Sequence, residues 1–407
     1  SSSLLHSASA GTVYLGTAEF ISKEAHLHGW QIFFNYYYLG AQQLFGFLFT
    51  MGVGTYSIKH LAGCKSETSI VRCLSLIVRH VALVFLLSSV CLSLALIAFS
   101  GNVNDISILS LVLVLLSLIR FLVEDLLLGL GLIINSVLQA FIESVLRLIL
   151  ICGVSIEVEQ DVLKALILSS AVPLLITSLI FSGKLKKFKL SKYRHIYSKA
   201  YYREALVIFS SHFLAIFHTR SGIVIAGWVF SPSVVGAYGL LVNISEPVLR
   251  LGTVISRFFM RAGATANNSG VIKIWKTILT VAFLGILAGM ALSMSFSLID
   301  RVFYDSSLIQ FSKEFNILLI YSLSFLLVNL SANVLNGMGM SRTVFKSSLM
   351  STTLYIILVS IASFNTSFIQ FTASLSVSSV ILCSILLCHL YVAAYGPSRD
   401  KSAKGFN

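Results

Sequence analysis

Residues Ile278–Leu298, ILTVAFLGILAGMALSMSFSL, decide the fold of this chain. These 21 residues hold no charge, while Lys273 and Lys276 stand just before them and Asp300 and Arg301 just after. As an α-helix the stretch is about 31 Å long, enough to cross the hydrocarbon core of a bilayer. No side of that helix is polar enough to face water. In lipid its backbone groups satisfy one another within the segment, so a helix is the default there.

Eleven further apolar stretches repeat the pattern. They run near Leu4–Phe20, Trp30–Tyr56, Val81–Phe99, Ile106–Leu128, Ile133–Val154, Ala165–Phe181, Glu204–Val229, Val234–Ser256, Phe315–Leu335, Ser347–Ser363 and Phe368–Ala394. The first is weak and the chain opens on Ser, which predicts that the start of its helix has been cut away. Only 11% of residues are charged, 57% are hydrophobic and the mean hydropathy is +0.90. A soluble domain of 407 residues would need more charge than that to cover its surface. The expected fold is an all-α polytopic membrane protein of about twelve transmembrane helices. Pro173 and Pro247 fall inside spans and predict kinks or unwound turns.

The basic residues fall in alternate gaps. Of the 29, 21 lie between spans two and three, six and seven, eight and nine, ten and eleven, or in the tail. The opposite gaps hold only Lys23, Lys164, Arg301 and Lys313, with acids such as Glu157, Glu159, Asp161, Asp300 and Asp305. By the positive-inside rule, both termini and the basic loop Gly183–Arg203 are expected to be cytoplasmic. The net charge of +13 is then a matter of topology, and nucleic acid is not an expected partner.

The basic loop divides the chain into residues 1–190 and 191–407. Gly29 to Gly236 spans 207 residues, and Gly129-Leu-Gly131 to Gly337-Met-Gly339 spans 208. Two landmarks at nearly one offset predict a six-helix bundle used twice, the copies related by a pseudo-two-fold along the membrane normal. Neither Gly-x-Gly has the third Gly or the Lys of a phosphate loop, so each is read as a helix terminus. The six cysteines have no metal-binding spacing and are expected to pack as small apolar residues. No cofactor, metal site or catalytic centre is expected.

Ionisable groups inside spans are expensive in lipid and are the candidates for function. Span four carries Arg120, Glu124 and Asp125, and span five Glu143 and Arg147. Span seven carries His212, His218 and Arg220, and span eight Glu246 and Arg250. Three of these sets contain opposite charges four residues apart on one helix face. Each such pair either neutralises itself and eases insertion or lines a cavity. Arg220 has no acid within a turn or two and needs an anion from elsewhere. His212 and His218 are packed, hydrogen-bonded residues or, if they titrate, proton-coupling groups.

The hairpin Ile223–Ile244 carries Phe230, Ser231, Val235, Gly236 and Tyr238. It resembles the helix seven–eight hairpin of Wzx-type polysaccharide flippases of the multidrug/oligosaccharidyl-lipid/polysaccharide exporter superfamily. Gly52–Lys59 resembles the end of that family's second helix, and Asn336–Arg342 its helix ten–eleven turn. The first hairpin departs from the pattern, with His26-Leu-His28-Gly29-Trp30 in place of Val-Gly-x-Tyr. The resemblance implies an O-antigen or capsule flippase of the bacterial inner membrane rather than an enzyme. Its substrate would be an undecaprenyl-diphosphate-linked glycan, and its partners the bilayer and the polysaccharide polymerase and export machinery. Arg220, Arg250, Arg147 and Glu143 are then expected on the wall of a cleft between the halves. Glu246, His212 and His218 are expected to couple movement to an ion. A cation-coupled multidrug exporter of the same superfamily, a membrane glycan polymerase and an ion channel are the competing readings.

Overall fold

A computed structural model describes residues 199–303 and 308–396, together with positions 58–62, 64, 69–70, 73–74, 77, 112, 116, 119, 123, 126–132, 138–139, 142, 145–146, 149, 164 and 167–176. The described residues contain no strand. From residue 199 onward the chain forms six long helices: α1 Lys199–Val229, α2 Pro232–Thr265, α3 Asn268–Phe303, α4 Ser312–Gly337, α5 Ser341–Phe364 and α6 Phe368–Tyr395. A single 3-10 turn, Ile309–Phe311, leads into α4.

Five of these six have the length and apolarity of membrane spans: Arg203–Val229 in α1, Ser269–Val302 in α3, Ile309–Gly337 leading through α4, and α5 and α6 entire. The remaining helix, α2, opens on the apolar run Ser233–Val242. The expected span Val234–Ser256 lies wholly within this longer helix. Because α2 continues to Thr265 and α3 begins at Asn268, Arg257 and Arg261 stand on α2 and not in a loop. The helix also runs on through Pro247 without an unwound turn. One missing donor is tolerated where neighbouring helices support the backbone.

The bundle is built around α4, which packs against α2, α3, α5 and α6. Three glycines let α2 and α4 touch backbone to backbone. A Cβ on Gly252 would stand 2.8 Å from Leu326 Cα, one on Gly263 would meet the Val334 carbonyl, and one on Gly337 would overlap Met260. Small residues at such crossings are how membrane helices gain dispersion contacts in the absence of a hydrophobic drive. One core cluster gathers Tyr238, Leu241, Phe315, Tyr355 and Phe371, and a second Val248, Leu326, Val334 and Leu386. By contrast α3 presents Phe283, Leu284, Met290, Met294 and Leu298 outward, as a lipid-facing helix does.

The hairpin between α1 and α2 turns at Ser231, with Pro232 opening α2 where its missing N–H costs nothing. Phe230 and Tyr238 both meet Phe368 and Phe371 of α6 edge-on. The hairpin residues Phe230 and Tyr238 are therefore packing residues at this end of the bundle. Trp228 and Phe364 lie exposed at the same end, and Trp275 packs on Tyr391 at the other, an aromatic belt at each level.

The two Gly-x-Gly turns are one motif. Leu132 N–H donates to Leu127 O at 2.8 Å and Gly131 N–H to Leu128 O at 3.1 Å; Met340 to Leu335 and Gly339 to Asn336 repeat those distances. Gly131 and Gly339 take φ of +83° and +86°, the left-handed cap that glycine adopts freely. Helix termination, as the sequence predicts, is what these glycines do.

Candidate functional site

At 100° per residue, Glu246, Arg250, Arg257 and Arg261 of α2 fall within an arc of about 60°. Leu241, Ile244, Val248 and Phe259, buried in or beside the α4 contact, occupy the opposite side. The helix thus has a packed apolar face and a charged stripe. Arg261, at the end of the stripe, reaches the first half. Its Nη1 donates to Leu128 O at 2.8 Å and to Gly129 O at 3.1 Å, both in the first half of the chain.

Position 250 lies about 27 Å along α2 from Pro232, and position 220 about 13 Å back along α1 from Val229, at 1.5 Å per residue. Arg220 is therefore mid-membrane in depth and Arg250 nearer the end where basic residues gather. Ser211, His218, Gly222 and Ala226 form the buried side of α1. Position 220 follows position 218 by two residues, about 200° round the helix. The expected residues Arg220, Glu246 and Arg250 are placed here by helix position. Glu143 and Arg147, with Arg120, Glu124 and Asp125, lie outside the described residues.

At the basic end the halves meet in a dry seam. Ile58 and Leu128 of the first half pack with Ala205, Ile208 and Met260 of the second, all at most 3% exposed. Beside them Lys59 pairs with Glu204, and His60 Nε2 lies 3.9 Å from the same carboxylate. Lys59 ends the Gly52–Lys59 motif, but His60 and Glu204 carry no signal in the sequence, and nothing in the linear order joins position 59 to position 204. The recurrence at 246, 250, 257 and 261 was legible, and only the placement of 257 and 261 in a loop hid it.

His218 is enclosed. Its ring stacks on Tyr355 at 4.6 Å between centroids, with Tyr321 and Phe325 at 6.3 and 6.0 Å. Nε2 shares a 3.0 Å hydrogen bond with Ser378 Oγ. Tyr355 Oη in turn accepts from Ser221 Oγ at 3.2 Å, and Ser351 Oγ donates to the Ser378 carbonyl at 2.8 Å. His212 lies lower on α1, close to Arg257. The structure thus sets His218 inside the second bundle and not on the stripe. No group of three His, Cys, Asp or Glu able to hold a metal occurs among the described residues.

The cysteines are not all inert packing. Cys64 and Cys73 lie side by side, with Ser69 beside them and His60 close by. The hydrogen bond between the two thiols lowers Cys64 to about 6, outweighing its partial burial, and with burial raises Cys73.

No protein-family model matches this chain, and no curated protein matches it. Solved structures do. A MATE in the straight conformation matches with a TM-score of 0.71 at 12% identity, covering 96% of this chain and 93% of that one. The outward-facing conformation of a multidrug resistance MATE family transporter of the MOP superfamily matches with a TM-score of 0.66 at 13% identity, over 96% and 93%. A MATE in complex with MaD3S matches with a TM-score of 0.71 at 12% identity, again over 96% and 93%. With its membrane-length helices and the glycine-capped turns of both halves, the chain has the all-α multi-pass fold of the MATE transporters, whose twelve helices form two bundles.

Proposed function

We propose that this chain is an alternating-access exporter of the same superfamily, non-enzymatic, and that its cargo is a polyprenyl-diphosphate-linked oligosaccharide passing from the cytoplasmic to the outer leaflet of a bacterial inner membrane. The observation that carries this is the charged stripe of α2. Glu246 and Arg250, inside the span, need water or an anion opposite them, because hydrocarbon would not solvate them, and Arg257 and Arg261 continue their face into the polar layer. Arg261 at one end of the stripe fronts the first half, so the stripe lies along the seam where two bundles would part. A diphosphate suits it, since the planar guanidinium gives paired charge-assisted hydrogen bonds at any working pH. Arg220 at mid-membrane depth and Arg250 nearer the basic end then take the headgroup in turn as it crosses, with Glu143 and Arg147 as further residues of the path, while the polyprenyl tail stays in lipid. Glu246 is the coupling acid, one turn from Arg250, while His218, enclosed by Tyr355, Tyr321 and Phe325, packs the second bundle and His212 lies close to Arg257. The polysaccharide polymerase and export machinery would receive the product.

A second reading, export of cationic drugs, is favoured by the solved neighbours, which include a multidrug resistance transporter. A cationic cargo calls for a carboxylate in the cleft. Glu246 on the stripe is the carboxylate such a cargo would use, whereas Asp300 is committed to the backbone N–H of Leu308 at 2.9 Å, and Glu204 to Lys59.

Purified protein in vesicles decides between them. Arg220→Ala is expected to abolish flipping of a polyprenyl-diphosphate oligosaccharide, and Arg220→Lys to restore it only in part. Drug efflux by the parent protein with no flipping would overturn the lipid reading.

A further inference from the structure

The two glycine-capped turns are each approached by a basic side chain from the opposite half. Arg261 of α2 donates to the Leu128 and Gly129 carbonyls, and it fits because Gly131 has no side chain: a Cβ there would stand 2.7 Å from Nη1 and from Nη2. In the other direction Lys59 Nζ lies 3.8 Å from where Gly339 would carry a Cβ, and it pairs with Glu204 at the start of α1. The residues just before these cations, Ile58 and Met260, are both fully buried in the same cross-half cluster. Ile58-Lys59 and Met260-Arg261 correspond at one offset of 202 residues, and the turns they approach at 208. The arrangement is reciprocal: each half sends a cation to the capped helix end of the other.

We infer that these two crossings form a paired latch that shuts the basic face of the seam, and that opening this face breaks both. The last carbonyls of a helix carry partial negative charge, so a cation from across the seam is favourable there: Arg261 adds a bond to Leu128 O and Gly129 O, and Lys59 stands beside the other turn, held by Glu204. Such bonds act over a few ångströms and are lost when the bundles part. The cluster behind them is dry, so it has to separate as a unit with them. At the mouth of the seam water replaces the lost partners, which makes the contact reversible. Bonds present in one state and absent in the other bias the equilibrium toward the first. The latch belongs to the moving parts of the proposed exporter, and it holds for an anionic lipid or a drug alike.

The test is the exposure of position 208, buried at 0% under the latch. Ile208→Cys in an otherwise cysteine-free full-length chain is labelled in membrane vesicles with an impermeant maleimide applied to the basic face. Lys59→Gln and Arg261→Gln are each expected to speed labelling, and together to do so about tenfold, the shift that a modest change in a two-state balance gives. Lys59→Arg, which keeps the cation at the turn and its pairing with Glu204, is expected to hold the rate near that of the parent. Unchanged rates in the double variant, or Lys59→Arg labelling as fast as Lys59→Gln, would overturn the inference. No cargo enters the assay, so a negative result leaves the substrate reading standing, and loss of that reading leaves the latch standing.

Discussion

Cys64 stands four residues beyond His60 on the basic face, with its thiol lowered to about 6 chiefly by the neighbouring Cys73. The thiolate is the reactive form. In a chain keeping only Cys64 and Cys73, maleimide labelling of Cys64 is expected to stay flat from pH 7 to pH 9 and to fall below pH 6. An ordinary thiol instead gains about tenfold per unit until it nears its own pKa of about 8.5. Cys73→Ala should restore that ordinary slope, and a steep slope in the parent would contradict the pairing. Arg261→Lys belongs to this scale as well. The ammonium keeps the charge but lacks the planar fork that now reaches two carbonyls at 2.8 and 3.1 Å. Its labelling rate at position 208 should fall between those of the parent and of Arg261→Gln.

At the scale of elements, the α2–α4 contact is fixed by glycines that nothing else can replace. Gly263 faces the Val334 carbonyl, a backbone atom that cannot swing aside. Gly263→Ala is expected to cost about 1–3 kcal/mol, the usual penalty for overpacking, read as a lower thermal midpoint in detergent. Gly236→Ala is the contrast: nothing lies within 4 Å of a Cβ there, and a helix interior favours Ala by up to about 1 kcal/mol. The six later helices were legible because apolar length is what lipid selects. Their ends were not, because Arg257 and Arg261, like Lys273 and Lys276 on α3, extend from helix termini into the polar layer. Charge alone marks such residues as loop. The hairpin motif was legible as a pattern but not as a role, since Phe230 and Tyr238 turn out to pack on α6. The pairing of Lys59 with Glu204 joins residues 145 apart, and no local signal announces it.

For the whole molecule, the account rests on a charged face of α2 looking across the seam at the first half. Position 253 falls on that face between Arg250 and Arg257, and position 244 on the packed side, where Ile244 is 4% exposed. The direct measurement is labelling of Thr253→Cys and Ile244→Cys, each in a cysteine-free chain in vesicles, by a small water-soluble thiol reagent with and without a polyprenyl diphosphate. Thr253→Cys should react readily and be slowed several-fold by the lipid diphosphate, while Ile244→Cys stays unreactive in both conditions. A cysteine at 253 that resists the reagent, or that reacts at one rate whether or not the diphosphate is present, would contradict a water-filled anion path along α2.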